Sequence, residues 1–335
     1  MTSVRPSTSA PEAPQATSRV IPTLTGPTGV GKTALSIALA VRLDAEIVSV
    51  DSRQIYRQLT VGAAKPDPDQ LATIPHHFID ELSLEQPSSS GRYAVAARRR
   101  IREILSRGKT PLVVGGSTLY LQALQYGLAD VPDVPAAVRS DLMHRLEREG
   151  AESLYKELRN VDPASAARMD STKTQRLIRA LEVFHGTGKP FSTYRMQAVI
   201  PPPLTFQTVV LWRDRRDLYD RIDRRVDAML AGGLVEEVRG ILDAGFDPGL
   251  NALRTIGYRE TLRYIDQAID HDRMRELIKR NTRRYAKRQL TWFRRFADYH
   301  WISAAASPDA VLRVFASNDA SLPGGEDSSG TRSKK

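Results

Sequence analysis

The glycine-rich stretch at residues 26–33 constrains the fold of this chain more than any other feature. Its sequence is Gly26-Pro27-Thr28-Gly29-Val30-Gly31-Lys32-Thr33. It fits the phosphate-loop pattern, in which a glycine, four residues, a second glycine and a lysine precede Ser or Thr. The glycines let successive N–H groups point into one concavity, the lysine supplies a cation, and the threonine hydroxyl can bind Mg²⁺. The stretch therefore predicts a site for a di- or triphosphate; the alternative is a glycine-rich turn without a ligand.

The flanking residues supply the elements that a phosphate loop requires. The apolar run Val20–Thr25 predicts a β-strand, and residues 34–43 predict an α-helix. In that order the positive end of the helix dipole faces the bound anion. The loop then lies at the carboxyl edge of an open α/β sheet, where ligands bind.

Length, charge and composition limit the class of protein. A chain of 335 residues favours an α/β core with an appended or inserted domain. The formal net charge of +10 indicates an acidic partner, nucleic acid before membrane, although a basic surface also serves solubility. The absence of cysteine excludes disulfides, thiolate zinc sites and cysteine nucleophiles and fits a reducing cytosol. No apolar run reaches the roughly 20 residues of a membrane span. Residues 1–18 and 317–335 are expected to be disordered tails.

A carboxylate follows the second predicted strand. The β-branched run 46–50 ends in Asp51-Ser52, which places Asp51 at the sheet edge where the ligand is expected. Beside a phosphate loop, Asp51 is a candidate general base or outer-sphere magnesium partner. The alternative is an N-cap for a helix over residues 53–59. A further buried strand, 112–118, carries no terminal Asp or Glu of the kind that phosphate-loop ATPases place there, which weighs against an ATP-driven motor.

The pattern becomes helical and charged after Asp130. We predict an inserted all-helical domain at 131–203, because strand signals return only with residues 206–212. Within the insertion, Arg176 and Arg179 lie three residues apart and face outward. That spacing suits phosphates, although a solvated charged face is the alternative.

Two basic helical regions follow the returning strand. In a helix over 214–231, Arg221 and Arg225 lie one turn apart and could reach a diphosphate. In the C-terminal third, aromatic residues such as Tyr285 and Trp292 recur at steps of three and four, which predicts core packing rather than a platform for bases. The sequence as a whole predicts an α/β fold, with a parallel sheet like that of phosphate-loop NTPases at 19–130 and 204–316, flanked by helices.

Seven further motifs are spread between the phosphate loop and residue 300. They are Asp51-Ser52-Arg53-Gln54-Ile55-Tyr56, Gly62-Ala63-Ala64-Lys65-Pro66, Pro75-His76-His77, Val114-Gly115-Gly116-Ser117-Thr118-Leu119-Tyr120, Gln175-Arg176-Leu177-Ile178-Arg179-Ala180-Leu181-Glu182-Val183, Ile256-Gly257-Tyr258-Arg259 and Ala286-Lys287-Arg288-Gln289-Leu290-Thr291-Trp292. Together these motifs closely resemble the bacterial tRNA dimethylallyltransferases. The resemblance implies transfer of a dimethylallyl group from its diphosphate to N6 of the adenine at position 37, next to the tRNA anticodon, with Mg²⁺ and release of diphosphate. The family usually has Thr in place of Ala63 and Ser117; Ser117 keeps a hydroxyl, and Ala63 loses one.

Residue chemistry and the resemblance together suggest roles for individual residues. Catalysis is expected of Lys32, Thr33, Asp51 and Arg225, with Thr33 as the metal ligand and residues 26–33 as the diphosphate- or nucleotide-binding loop. By resemblance, the insertion is expected to bind tRNA. Contact with tRNA is expected of Asp51, Ser52, Arg53, Gln54, Ser117, Arg139, Gln175, Arg176, Leu177, Ile178, Arg179, Arg254, Thr255, Ile256, Gly257, Tyr258, Arg259, Lys287, Arg288, Gln289, Leu290, Thr291, Trp292, Phe293 and Arg294.

The chemistry of these residues agrees with that function. The chain has no aspartate cluster of the kind that chain-elongating prenyltransferases use to hold diphosphate through magnesium, so the phosphate loop must do so. As the N6 amine attacks the first prenyl carbon, Asp51 is placed to take its proton, which is worth about 10² to 10⁴ in rate. A stacked adenine must be pulled out to reach a buried diphosphate. A deep site capped by the insertion fits that need.

Three alternatives remain open from the sequence. A phosphate-loop small-molecule kinase would consume ATP without prenyl transfer. An isopentenyltransferase acting on free adenine nucleotides would share the loop and Asp51 but need neither the insertion nor the basic helices. A pure RNA-binding module would need neither Asp51 nor Mg²⁺. The partners expected on the favoured hypothesis are tRNA and dimethylallyl diphosphate, without a membrane, for a cytoplasmic monomer.

Overall fold

The computed structural model describes residues 19–129, 131–196 and 203–317 and divides the chain into two compact units. The first unit contains the described residues of 1–121 and 203–335, and the second contains those of 122–202. The second unit covers most of the predicted insertion and also takes in residues that precede it. Apart from Ser317, the predicted tails lie outside the described residues.

The first unit is built on a parallel β-sheet. Its strands are β1 (Val20–Thr25), β2 (Ala45–Val50), β3 (His76–His77), β4 (Thr110–Gly115), β5 (Thr205–Trp212) and β6 (His300–Ser303). Across the described residues the strand order is β3-β2-β4-β1-β5-β6, and every neighbouring pair is parallel. Consecutive residues of β1 and β4 are buried, so both faces of the sheet are covered, as is usual for parallel sheets. The predicted parallel α/β fold is confirmed.

Helices follow the strands and build the second unit. In chain order they are α1 (Lys32–Arg42), α2 (Pro68–Thr73), α3 (Ser90–Ser106), α4 (Thr118–Tyr126), α5 (Ala136–Val161), α6 (Pro163–Ala166), α7 (Thr174–Thr187), α8 (Phe191–Arg195), α9 (Arg215–Ala231), α10 (Leu234–Asp243), α11 (Tyr258–Ile265), α12 (His271–Phe293) and α13 (Pro308–Ala316). Helices α5 to α8 belong to the second unit. Helix by helix, the described part of the chain offers no segment long and apolar enough to cross a bilayer.

Side-chain caps mark where several helices begin. The side chains of Ser89, Asp214 and Asp270 accept hydrogen bonds from the backbone N–H groups of residues 92, 216 and 273, at the starts of α3, α9 and α12. Such caps satisfy N–H groups that have no partner inside the helix, and each contributes about 1 kcal/mol. The apolar faces of these helices then decide how they pack.

Each unit has its own hydrophobic core. In the first unit, Leu24, Leu112 and Leu211 of the sheet pack with Leu39 of α1 and Phe315 of α13, all fully buried. Burial of each such side chain stabilises the fold by about 1.5–3 kcal/mol. In the second unit the core is formed by Leu142, Leu154, Leu158, Leu177, Ile178 and Leu181. This unit therefore buries an apolar face of α5 and α7 against each other.

The strand order brings three chain segments together at one edge of the sheet. Strands β2, β4 and β1 are neighbours, so the loops that follow their carboxyl ends are adjacent. These loops begin at Gly26, Asp51 and Gly116. Parallel sheets bind ligands at this edge, and the sequence motifs with candidate catalytic or binding roles meet there.

Candidate active site

A cavity of about 980 Å³ opens at the carboxyl edge of the sheet. Ligand pockets commonly measure roughly 300–1,000 Å³, so this one is large enough for an extended ligand. Among the described residues that line it, Asp51 is the only acid. Its basic lining residues are Lys32, Arg53, Lys65, Arg221, Arg224, Arg225, Arg254, Arg259 and Arg288. The charge of the wall therefore favours a polyanion.

The phosphate loop has the backbone that its glycines predict. Gly31, directly before α1, has a φ of 111°, in the left-handed region. Gly26 has a φ of 147°, and a Cβ atom there would lie 2.7 Å from the carbonyl oxygen of Leu211. Neither position accepts a larger residue without strain. The predicted order of strand, loop and helix is confirmed, and the loop ends at the helix N-terminus, where backbone N–H groups bind anions.

Lys32 and Thr33 occupy the first turn of α1. The Nζ atom of Lys32 donates to the carbonyl oxygens of Gly26 and Pro27, both at 2.9 Å. The pKa of Lys32 is lowered to about 7, mainly by burial and also by the nearby charge of Arg225, while Asp51 opposes the shift. Thr33 is exposed at the cavity wall. The loop thus presents a hydroxyl and an amine whose charge responds to a bound anion.

Asp51 closes a turn at the end of β2 and also lines the cavity. Its Oδ1 atom accepts from the N–H groups of Arg53 at 2.8 Å and Gln54 at 3.3 Å. The helix considered for residues 53–59 is absent; those residues form turns. The capping alternative is therefore wrong about the helix, although Asp51 does bond backbone N–H groups. Its second carboxylate oxygen remains for chemistry in the cavity.

The three arginines nearest the phosphate loop have different partners. Arg213 is engaged by the protein: its Nε donates to Val30 O at 2.7 Å, and its Nη1 pairs with Asp217 at 2.9 Å. Arg221 donates from Nε alone, to Gly29 O at 3.0 Å. Arg225 has no hydrogen-bond or ion-pair partner among the described residues, and burial lowers its pKa. Arg221 and Arg225 therefore have donors left for a ligand.

The loop after β4 is held from both sides. Ser117 Oγ accepts from the N–H of Ser52 at 3.1 Å, so its hydroxyl faces the turn that carries Asp51. Gln289 of α12 bridges this loop to the phosphate loop through Gly116 and Thr28. Gln289 was predicted to contact tRNA, but its side chain is 2 % exposed and its amide is occupied by the protein.

Tyr285 of α12 was predicted as a core residue, and it lines the cavity. Burial raises the pKa of Tyr285 to about 12; the negative charge of Asp51 adds to the shift, and a hydrogen bond with Ser117 opposes it. The helical period identified the inward side of α12 but could not show that part of that side borders a cavity.

Glu237 is a site residue that the sequence did not reveal. Its carboxylate accepts from the N–H groups of Thr60, Val61 and Gly62 at 2.9, 2.6 and 3.2 Å. The hydroxyl of Tyr258 donates to the same carboxylate at 2.6 Å. These contacts fix the turn that forms one wall of the cavity. The partners are far apart in sequence, so no local pattern could predict them.

Lys65 lines the cavity, but the protein itself holds its ammonium group. Its Nζ donates to the carbonyl oxygens of Tyr56 at 2.7 Å and Arg57 at 3.2 Å and also contacts Asp80. The ammonium group therefore stabilises the turn. It is not free to bind phosphate.

Four hydrophobic residues of the predicted tRNA-binding set have buried side chains. Leu177 and Ile178 pack in the core of the second unit, and Tyr258 and Phe293 are fully buried in the first. Core packing therefore occupies these four side chains, and contact of these residues with RNA stays a prediction. Other members of the set line the cavity: Asp51, Ser52, Arg53, Gln54, Ser117, Arg254, Thr255, Ile256, Gly257, Arg259, Arg288 and Gln289.

One series of basic residues on α12 is neutralised by α9. Asp227 pairs with Arg275 and with Lys279, each at 2.7 Å, and Asp223 pairs with Arg283 at 2.6 Å. These cations lie four residues apart and share one face of α12. They stabilise the packing of the two helices and are not available to RNA.

A second series of basic residues on α12 remains exposed. Arg280, Arg284, Lys287 and Arg288 have no carboxylate within 4 Å among the described residues, and Arg294 directly follows the helix with the same exposure. The guanidinium of Arg288 also lies 5.8 Å from the centre of the Tyr285 ring. This series keeps its charge for an external anion.

The arginines predicted for the second unit are mostly paired. Arg139 donates to Glu182 at 3.0 Å and to Gln175 Oε1 at 3.1 Å, and Arg179 lies 3.4 Å from Glu182. Arg176 is exposed and makes no ion pair with a described residue. Of this group, Arg176 therefore presents its charge most freely.

The cavity offers few side-chain ligands for a divalent cation. Within the described residues, no group of three or more His, Asp or Glu could hold a metal. Mg²⁺, however, is commonly bound by one or two protein oxygens together with phosphate oxygens and water. The exposed hydroxyl of Thr33 and the second oxygen of Asp51 border the same cavity. They fit a Mg²⁺ that arrives with a diphosphate.

Comparison with known protein families gives one consistent result. A family model described as IPP transferase matches residues 54–296. The tRNA dimethylallyltransferase of Salinibacter ruber is 59 % identical over 283 residues, which cover 84 % of this chain and 87 % of that protein. The tRNA dimethylallyltransferase of Chlorobium limicola is 45 % identical over 296 residues, covering 86 % and 93 %.

Solved structures agree with the sequence relatives. The full-length tRNA isopentenylpyrophosphate transferase of Bacillus halodurans superposes with a TM-score of 0.63 at 34 % identity, covering 89 % of this chain and 94 % of that one. A eukaryotic dimethylallyltransferase, described as acting on tRNA, gives 0.69 at 28 % identity, covering 90 % and 78 %. The resemblance found in the motifs thus extends over most of the chain.

Proposed function

The chain belongs to the IPP transferase family, and on that premise we propose that it transfers a dimethylallyl group from dimethylallyl diphosphate to N6 of the adenine at position 37 of tRNA. The observation that carries this proposal is the composition of one cavity wall. A phosphate loop, arginines without carboxylate partners and a single acid lie around the same space. A diphosphate requires the first two, and proton removal requires the third.

The diphosphate is bound by the phosphate loop and the adjacent basic residues. The N–H groups at the start of α1, Lys32 and the free donors of Arg221 and Arg225 surround its oxygens. Thr33 would hold a Mg²⁺ that arrives with the diphosphate, and such an ion would stabilise the charge that develops on the leaving group. Because Thr33 places its hydroxyl at the start of α1 on the cavity wall, Thr33→Ala should raise the Mg²⁺ concentration needed for half-maximal rate; an unchanged requirement would contradict this role.

The transfer step exchanges one bond for another. The lone pair of the adenine N6 amine attacks the first carbon of the dimethylallyl group, and the bond between that carbon and the diphosphate oxygen breaks. Diphosphate leaves with the bonding electrons. The amine then carries an extra proton, which the free oxygen of Asp51 accepts. Arg225 and Lys32 stabilise the negative charge of the leaving diphosphate.

The RNA is held by exposed cations. Arg254 and Arg288 line the cavity, and the unpaired series on α12 continues beyond it. Arg259 also lines the cavity, but its guanidinium pairs with Glu260 at 2.6 Å. Contacts of this kind bind phosphates without reading sequence. The target adenine leaves the anticodon stack to enter the cavity. A tRNA substrate supports a cytoplasmic location. The described residues that line the cavity all belong to the first unit of a single chain, which supports a monomer.

Incubation with labelled dimethylallyl diphosphate tests the proposal. Unmodified tRNA, AMP and ATP with small-molecule acceptors are offered in parallel, with Mg²⁺ present. We expect label in tRNA at N6 of adenine 37 and release of diphosphate. Label in AMP but not in tRNA would favour an enzyme acting on free nucleotides. Consumption of ATP without prenyl transfer would favour a kinase. Label in tRNA that persists in Asp51→Asn at the wild-type rate would overturn the assignment of the base.

A further inference from the structure

Gln289 makes two hydrogen bonds that have no part in the proposed transfer step. This side chain lies on α12 and is 2 % exposed. Its Oε1 accepts from the N–H of Thr28 at 2.9 Å, and its Nε2 donates to the carbonyl oxygen of Gly116 at 2.6 Å. One amide therefore joins the phosphate loop to the loop after β4, from a helix distant in sequence.

The position of this amide explains why the two loops need it. The parallel pairing of β1 and β4 ends at Thr25 and Gly115, after which the two chains separate. On the side of β2, a backbone bond from Ser117 N–H to Val50 O continues the ladder. On the side of β1 there is no such backbone bond. The amide of Gln289 supplies one donor and one acceptor there, as a peptide group would.

The surroundings of Gly116 leave little freedom for this bridge. A Cβ atom on Gly116 would lie 2.6 Å from Gln289 Nε2, 3.0 Å from Gly26 O and 3.5 Å from Lys32 Nζ. Lys32 in turn donates to Gly26 O. The amide of Gln289, the start of the phosphate loop and the catalytic lysine are therefore packed around one glycine. Movement of the amide would displace the backbone that holds Lys32.

We propose that Gln289 is a positioning residue that holds the phosphate loop in its diphosphate-binding shape. The inference rests on the proposed function, because it assumes that the loop binds the diphosphate of the prenyl donor. Gln289 itself does not touch the ligand on this account. Its bond occupies the Thr28 N–H and leaves the N–H groups nearer α1 for phosphate.

The test compares Gln289 with another buried glutamine. In Gln289→Leu both hydrogen bonds are lost, and in Gln289→Glu the shape is kept while a carboxylate oxygen faces Gly116 O. Gln207→Leu is the matched control: Gln207 is 4 % exposed, donates to Val314 O at 2.6 Å and lies in β5 away from the cavity lining. For each variant the measurements are the KM for dimethylallyl diphosphate, kcat, the Kd of inorganic diphosphate, the Kd of tRNA and the Tm.

When a buried donor and acceptor lose their partners, the free-energy cost is large enough to weaken ligand binding by about tenfold or more. We therefore expect both Gln289 variants to raise the KM for dimethylallyl diphosphate and the Kd of diphosphate by about tenfold, with the Kd of tRNA within about twofold. Gln207→Leu loses the bond to Val314 O but also removes an Oε1 atom that is buried without a partner among the described residues. Its Tm should therefore fall less than that of Gln289→Leu, and its KM and diphosphate Kd should not change.

Two results would separate the inference from its premise. If either folded Gln289 variant bound diphosphate as the wild type does, the positioning role would be wrong, whatever happened to the Tm. If the wild-type protein bound diphosphate and transferred no prenyl group, the proposed function would fail, while weaker diphosphate binding in the Gln289 variants would still support their role in shaping the loop.

Discussion

The two faces of α9 carry opposite charges. Arg221 and Arg225 lie four residues apart and face the phosphate loop, where neither forms an ion pair with a described carboxylate. Asp223 and Asp227 are also four residues apart and face α12, where each is paired with basic residues. Two residues along a helix correspond to a rotation of about 200°, so the same helix separates the two pairs.

The difference shows which positive charges of the protein are available to an anionic ligand. On the packing face, acids neutralise the cations of α12 and fix one helix against the other. On the cavity face, cations are left unpaired, and burial makes their charge costly until an anion arrives. The net charge of +10 alone could not distinguish the two, because paired and unpaired arginines count equally.

The largest expected effect concerns Asp51, the acid that lies among the basic residues of the cavity. Asp51→Asn should lower turnover by about 10² or more, because it removes the base without removing volume. The affinity for tRNA should stay within a few-fold. Asp223→Asn, an acid on the packing face of α9, is the control and should retain turnover within a few-fold. Single-turnover prenylation of tRNA measures both, and equal turnover in the two variants would refute the role of Asp51.

A second pair of substitutions tests the two faces directly. Arg225→Gln should raise the KM for dimethylallyl diphosphate by about 10- to 100-fold, the range for loss of a charged hydrogen bond. Arg283→Gln removes a cation that α9 already neutralises, so the KM should not change, although the Tm should fall. Steady-state kinetics at saturating tRNA, together with thermal unfolding, provides the comparison. The same rise in KM for both variants would show that the two faces are not functionally distinct.

The groups with chemical roles in the cavity were largely predictable from sequence. The contacts that hold the cavity walls in place were not. The phosphate loop, Asp51 and Arg225 occur in local patterns whose chemistry is fixed by residue type and spacing, so their meeting at the sheet edge follows from parallel strand order. Glu237 and Gln289 act through backbone groups far along the chain. Periodicity showed only that such residues belong to a helix.

The burial of some residues in the predicted RNA interface has the same origin. Motif resemblance marks a run of residues, whereas a helix turns successive side chains to different sides. Leu177 and Ile178 therefore accompany Arg176 in the motif but enter the core. The paired and unpaired arginines of α12 could not be separated either, because their partners lie on α9.

A smaller effect concerns the charge of Lys32. With a pKa of about 7, roughly one free molecule in ten carries this proton at pH 8. Diphosphate beside the amine favours the charged form, so binding at pH 8 should take up close to one proton. Affinity should then fall as the pH rises above 7. In Lys32→Arg the group is always charged, and this share of proton uptake should vanish.

Calorimetry in buffers of different ionisation enthalpy measures that uptake. The titration of diphosphate itself contributes equally to both proteins, so the difference between wild type and Lys32→Arg isolates the lysine. Proton uptake that is the same in both proteins would contradict the lowered pKa of Lys32.

The smallest expected effect extends the comparison to RNA. Each phosphate that a lysine or arginine neutralises releases counterions, so loss of a true contact reduces the slope of log affinity against log salt by about one unit. We expect this change for Arg288→Ala and separately for Arg176→Ala, both exposed and without carboxylate partners among the described residues. The affinity for dimethylallyl diphosphate should change by less than about twofold in Arg176→Ala.

The matched controls come from the paired cations of the same units. Arg283→Ala on α12 and Arg145→Ala on α5, which pairs with Glu149 and Glu157, should leave the salt slope as it is in the wild type. Filter binding of an unmodified anticodon stem-loop at several salt concentrations gives the four slopes. If paired and unpaired arginines changed the slope equally, ion pairing within the protein would not decide which cations meet RNA. If none changed it, Arg288 and Arg176 would belong to a solvated surface, and the RNA would be held by the cavity arginines alone.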